Sequence, residues 1–172
     1  MLSIPAATYP CWPGFDLLLE TDLVFTGKRV IYLSGSNGSG KSSFITKVLL
    51  PKVKVTATPC YTIYLEQLFH LQAYSIKAEA ALKHPEKRLL SNADCLAYLL
   101  NDLELAQKKQ LRPVLAFADE SHFLLDLYHF LEASGFDYSL IYSIHGEDPL
   151  PTPHKTLSFI PETQRLSIIR CN

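Results

Sequence analysis

Residues 29–42 read Arg29-Val30-Ile31-Tyr32-Leu33-Ser34-Gly35-Ser36-Asn37-Gly38-Ser39-Gly40-Lys41-Ser42, and this stretch decides the fold. Its first half is apolar and β-branched, as a buried strand requires. Its second half fits G-x-x-x-x-G-K-S/T without a mismatch. Glycines let such a loop curl until backbone N–H groups point inward at phosphate oxygens, and a helix that follows presents its positive end to the same charge. The pattern therefore predicts a phosphate cradle on Gly35, Ser36, Asn37, Gly38, Ser39 and Gly40. Lys41 is expected to reach the β- and γ-phosphates of ATP, and the Ser42 hydroxyl to ligate Mg²⁺. Ser43 adds a second hydroxyl at the helix start and is placed with the cofactor-binding set.

Outward from this centre, the spacing predicts one or two short strands over 15–25 and a helix over 41–50 that Pro51 stops. Strand material follows at 53–57 and 62–65, helices at 68–82 and 93–107, and a buried strand at 113–118. A helix over 122–133 closed by Gly135, and a strand over 139–144, complete an alternation that calls for a mostly parallel sheet with helices on its faces. After Pro149, Pro151 and Pro153, the runs 156–160 and 165–170 flank a turn and predict a C-terminal β-hairpin.

The apolar run Val114-Leu115-Ala116-Phe117-Ala118 ends in Asp119-Glu120. A carboxylate at a strand end beside a phosphate loop can hold the hydration shell of magnesium, which assigns Asp119. A second carboxylate directly after it can orient and deprotonate a water, which assigns Glu120 as general base. A plain acidic helix start is the other reading of the pair.

With 172 residues, 48% of them hydrophobic, the chain supports one compact domain over 1–172. A formal charge of −1 excludes a global field for nucleic acid or an acidic membrane. Cys11, Cys60, Cys95 and Cys171 stand far apart and form no C-x-x-C pair, so reduced thiols and a cytoplasmic protein are expected. No apolar run has the length of a membrane span.

Gly35-Ser36-Asn37-Gly38-Ser39-Gly40-Lys41-Ser42-Ser43 resembles the Walker A loop of the ATP-binding-cassette (ABC) class of P-loop NTPases, and Val114 to Ser121 resembles its Walker B strand and catalytic glutamate. The resemblance runs from about Tyr9 to His145. It implies that Gln67 senses the metal and the attacking water, that His145 contacts the γ-phosphate, and that Asp126 lies in the D-loop. Tyr9 or Trp12 is implied as the aromatic that stacks on adenine, with core burial the other reading of each. For Gln67 and His145 taken alone, a surface glutamine and a loop histidine are the plainer readings.

The sequence departs from the class at the signature, where Leu90-Ser91-Asn92-Ala93-Asp94 keeps Leu and Ser but lacks both glycines and the glutamine. A helix cap on Ser91 or Asn92 is the alternative. About two dozen positions separate Gln67 from Ser91, a shortness similar to the ATPase domains of MutS-type proteins. An ATP-driven switch is the leading expectation. A P-loop kinase is disfavoured because only Arg88 and Arg112 lie between the loop and Asp119. A nucleotide-dependent binding module with little hydrolysis is the third reading. The resemblance further implies a nucleotide-dependent homodimer or heteromer. A membrane or DNA partner is not named by any residue, and the basic stretch Lys77, Lys83, His84, Lys87 and Arg88 reads first as a solvated helix face.

Overall fold

A computed structural model describes residues 2–55, 59–146, 150, 151, 153 and 155–171. Strands β1 (Leu2–Ile4) and β4 (Leu23–Phe25) pair with each other as a small antiparallel ladder. Eight further strands make one mixed sheet: β2 (Ala7–Trp12), β3 (Phe15–Leu19), β5 (Arg29–Gly35), β6 (Tyr61–Leu65), β7 (Val114–Asp119), β8 (Tyr138–Ser143), β9 (Lys155–Thr163) and β10 (Leu166–Cys171). Their order is β2-β3-β10-β9-β5-β8-β7-β6. Only β2–β3 and the terminal hairpin β9–β10 pair antiparallel, so the sheet is mostly parallel. The expected hairpin is thus present, and it is built into the middle of the sheet.

Alternation along the parallel strands feeds two cores. In β7, Val114, Ala116 and Ala118 face the helices α3 (Phe69–Lys83), α4 (Asn92–Lys109) and α5 (Leu124–Ser134). Leu115 and Phe117 face the opposite layer, where Phe44, Ile45, Val48 and Leu49 pack with the N-terminal strands. Each fully buried Val, Leu, Ile or Phe among them contributes about 1.5–3 kcal/mol. The Leu33 and Gly35 end of β5 is packed especially close. A Cβ on Gly35 would lie 2.7 Å from the Phe159 carbonyl oxygen, 2.8 Å from Ser39 Oγ and 2.9 Å from Phe159 Cβ, and its φ is +152°. Only glycine lets β9 pair this tightly with the start of the loop.

Two expectations fail between 50 and 57. The helix does not stop at Pro51, because α1 (Lys41–Ser43) runs through a π-helical stretch (Phe44–Leu49) into α2 (Leu50–Val55). The Leu50 N–H bonds to the Ile45 carbonyl, one residue further back than in an α-helix. This wider turn offsets the carbonyls just before Pro51, whose ring would otherwise strike the preceding turn and which has no N–H to give. The β-branched residues of 53–55 are consequently helical, not strand; positions 56 and 57 of that expected strand lie outside the described residues. Pro10 sits in β2, an edge strand, where a missing donor costs no ladder bond to a second neighbour.

No helix among the described residues is long and apolar enough to cross a membrane. All four cysteines are free thiols, as expected.

Candidate functional site

Pairing registers place one row of residues straight across the parallel half of the sheet: Tyr32 beside Tyr142, Tyr142 beside Ala118, Ala118 beside Leu65. Within three residues past this row each strand ends, all at the C-terminal edge of the sheet. Ser34 and Gly35 lead into the glycine-rich loop from β5, Asp119 and Glu120 follow from β7, Gln67 from β6, and His145 from β8. Neighbouring strands stand about 4.8 Å apart, so residues equally far past the row are brought within reach of one another. Open α/β sheets bind ligands at this edge, where the crossovers switch faces.

Here the distances converge on one carboxylate. Gln67 Nε2 donates to Glu120 Oε2 at 2.6 Å, and His145 Nε2 lies 2.6 Å from the same oxygen. Glu120 has a positive φ of 49°, the sole non-glycine residue with one among those described, and its N–H is held by the Ser143 carbonyl at 2.9 Å. A backbone in this region costs on the order of 1–3 kcal/mol and persists only where its surroundings enforce it. Asp119, 3% exposed, lies behind Glu120 and accepts a hydrogen bond from Ser143 Oγ at 2.8 Å. Burial, and then the charges of Asp119 and Glu66, push the nearby Tyr64 phenol well up, so it stays neutral beside the acid.

In the loop, Lys41 is 6% exposed and its Nζ donates to the carbonyls of Gly35 at 2.8 Å and Ser36 at 3.1 Å. Two of its three ammonium donors are so used, and the side chain is held at the loop's centre. Gly40 precedes the helix at φ +100°, with Leu17 and Phe15 of β3 directly beneath it. The loop borders a cleft of about 510 Å³ lined by Trp12, Phe15, Asn37, Gly38, Lys41 and Ser42, with Gln67, Glu120 and His145 across from them. That size suits a small-molecule ligand. Gly40 and Ser43 also line it, whereas the exposed Gly35 and Ser36, the buried Ser39 and the buried Asp119 do not.

Trp12 separates from Tyr9 here. Trp12 is 52% exposed on the cleft, its Nε1–H bonds to Ser43 Oγ at 3.0 Å, and the Lys47 ammonium lies 4.2 Å from the ring centroid. Ser43 therefore anchors the aromatic ring. Tyr9 turns away and bonds the Pro5 carbonyl at 2.6 Å, so it does not belong to the cleft.

The segment Leu90 to Asp94 caps α4. The Ser91 hydroxyl accepts from the Asp94 N–H at 3.1 Å, and the Asp94 carboxylate accepts from the Ser91 and Leu90 N–H groups at 2.8 and 2.9 Å. This reciprocal capping box is the helix-start reading of the sequence. Those same backbone donors, Ser91 first, hold the Asp94 carboxyl below the usual range. Asp126 lies in the first turn of α5. In the basic stretch, Lys83 pairs with Glu79 at 2.6 Å and Lys77 donates to the Leu90 carbonyl at 3.0 Å, as on a solvated face.

Three residues of the site were not singled out from sequence. Phe15 and Ser143 are set by tertiary packing that no local pattern announces. Gln72 of α3 donates to the Tyr64 carbonyl at 2.6 Å and accepts from the Glu66 N–H at 3.1 Å. It replaces the missing neighbour of the edge strand β6 and so fixes the chain just before Gln67.

No family model matches the chain, and no curated protein matches it. Among solved structures, a chain in the assembly of ribosome-bound archaeal Pelota and ABCE1 is similar in outline, with 14% identity and a TM-score of 0.49. That match covers 97% of this chain and 34% of the other, so this chain spans about a third of its length.

Proposed function

We propose that the chain binds Mg-ATP in the cleft and hydrolyses it, as a P-loop NTPase of the ABC class working as a nucleotide-driven switch. The observation that carries this reading is the Glu120 carboxylate, gripped at one oxygen by Gln67 and His145 and facing the same cleft as Lys41 and Ser42. Glu120 would take the proton from a water that Gln67 and His145 help to orient, a role worth about 10²–10⁴ in rate. Lys41 keeps a donor for the β- and γ-phosphate oxygens while staying tied to the loop carbonyls. Trp12, locked by Ser43, offers its open face to a base.

The donors around the cleft suit a hard cation: the Ser42 hydroxyl, the Asp119 carboxylate and the Gln67 amide oxygen are all oxygens, the preference of Mg²⁺. What the cation supplies when bound is neutralisation of charge on the phosphate oxygens. A kinase is the weaker reading. No arginine lines the cleft among the described residues, and Arg112 lies at the other end of β7, bonded to Gln110 and stacked 5.7 Å from the Tyr61 ring. A nucleotide-dependent dimer or heteromer through residues 90–94 is a separate proposal, tested by the solution mass of the Glu120→Gln protein with and without Mg-ATP.

Trp12 is the chain's single tryptophan, so its fluorescence reports directly on the cleft. Titration with Mg-ATP should change that emission and saturate. Lys41→Ala should flatten the response, and Glu120→Gln should keep it while phosphate release falls at least about a hundredfold. Equal nucleotide affinity in Lys41→Ala, or wild-type turnover in Glu120→Gln, would sink the reading.

A further inference from the structure

We infer that Ser143 is the positioning residue for both acids of the site, its hydroxyl aiming Asp119 at the cation and its carbonyl fixing Glu120 for the water. The inference rests on the nucleotide reading above and concerns how the two carboxylates are kept distinct in role.

Ser143 closes β8, directly beside Asp119 in the parallel register, and is fully buried. Its Oγ–H donates to Asp119 Oδ1 at 2.8 Å, while its carbonyl accepts the Glu120 N–H at 2.9 Å. The first bond matters because the terminal torsion of an aspartate is broad and two-fold, so an unrestrained carboxylate presents either oxygen in many orientations. Engaging Oδ1 from behind turns Oδ2 the other way. A buried carboxylate also needs a donor, and a charge-assisted bond of this kind is stronger than a neutral one. The second bond matters because Glu120 has the left-handed backbone at which the chain turns out of β7. With its N–H tied to β8, the side chain is delivered to Gln67 and His145. One residue thus sets the spacing of Asp119, Glu120 and, two positions further along the chain past the end of β8, His145.

A structural role alone would make Ser143 matter only for stability, and metal dependence separates the cases. Trp12 fluorescence is followed on titrating Mg²⁺ into protein with a non-hydrolysable ATP analogue, and separately on titrating the analogue in EDTA. Ser143→Ala should raise the half-saturating Mg²⁺ about tenfold or more and leave metal-free nucleotide affinity unchanged. Adding Ser143→Ala to Asp119→Asn should then shift Mg²⁺ no further, since the hydroxyl acts through that carboxylate. An unchanged Mg²⁺ midpoint in Ser143→Ala, or fully additive losses in the double variant, overturns the assignment. If Ser143→Ala does not fold, Ser143→Cys keeps the volume with a weaker donor and should give a smaller shift in the same direction, a wild-type midpoint counting against. Nucleotide binding by the wild type that is absent altogether removes the ATP reading itself, an outcome distinct from binding that Ser143→Ala leaves untouched.

Discussion

Gly35→Ala isolates the tightest contact behind the site. The new methyl would sit 2.7 Å from the Phe159 carbonyl oxygen and under 3 Å from two further atoms. The carbonyl belongs to a strand paired in register with Gly35, so relief requires β9 to move rather than a side chain to rotate. Overpacking of this kind costs about 1–3 kcal/mol or more. The φ of +152° adds roughly 1–3 kcal/mol for a residue with a Cβ. The sum, about 2–6 kcal/mol, is a large share of a typical stability of about 5–15 kcal/mol. For a chain of this length it lowers Tm by roughly 4–24 °C. Gly14→Ala is the matched control, with φ +82° and no atom within 4 Å of its added Cβ, so only the backbone cost of about 1–2 kcal/mol applies. Urea and thermal unfolding of both variants, followed by circular dichroism, give the difference. Gly35→Ala and Gly14→Ala agreeing within about 1 kcal/mol would refute the packing argument.

Three further outcomes are expected. His145→Ala removes one of two bonds holding Glu120 and should lower single-turnover phosphate release about 10- to 100-fold, from a charge-assisted bond of about 1.5–3 kcal/mol; a variant as fast as wild type would detach His145 from the chemistry. Ser91→Ala should destabilise the fold by about 1 kcal/mol through loss of the α4 cap without altering nucleotide affinity, as measured by urea melts and Trp12 titration. The Asp94 carboxyl is held below its ordinary value when folded, so its contribution is present above the ordinary carboxylate range and lost as pH falls through the folded value. The stability gap between wild type and Asp94→Asn should therefore close on acidification, and a gap constant with pH would contradict the capping geometry.

Sequence patterns revealed the residues that end apolar, β-branched runs. Arg29 to Leu33, Val114 to Ala118 and Ser139 to Ile144 announce buried strands, and in a parallel sheet their last residues emerge on one edge. Asp119 and Glu120 could be placed for that reason, whereas Gln67 and His145, plain on their own, drew their roles from the resemblance, to which their strand-end positions added weight. What stayed hidden depends on neighbours far along the chain. Pro51 reads as a helix end, yet the wider turns from Phe44 to Leu49, within which the Thr46 hydroxyl bonds the Ser42 carbonyl at 2.8 Å, carry the helix past it. Between Tyr9 and Trp12 the choice rested on where β2 meets the helix after the loop. Ser143, a small polar residue inside an apolar run, carries no local signal, since its importance comes from the strand beside it.

The row Tyr32, Tyr142, Ala118, Leu65 bears on how such a chain can change over evolutionary time. Because side chains alternate, losing one residue within β7 would draw Glu120 back into the buried place of Asp119 and Asp119 into the core place of Ala118, leaving neither acid where it now stands. Substitutions there alter volume, whereas an insertion or deletion alters who does what. The turns at the opposite edge, such as Gly135 to Asp137 ahead of β8, lie outside this alignment. Length variation among descendants should accumulate at those turns and be purged from the strands themselves, whatever amino acids the strands come to hold.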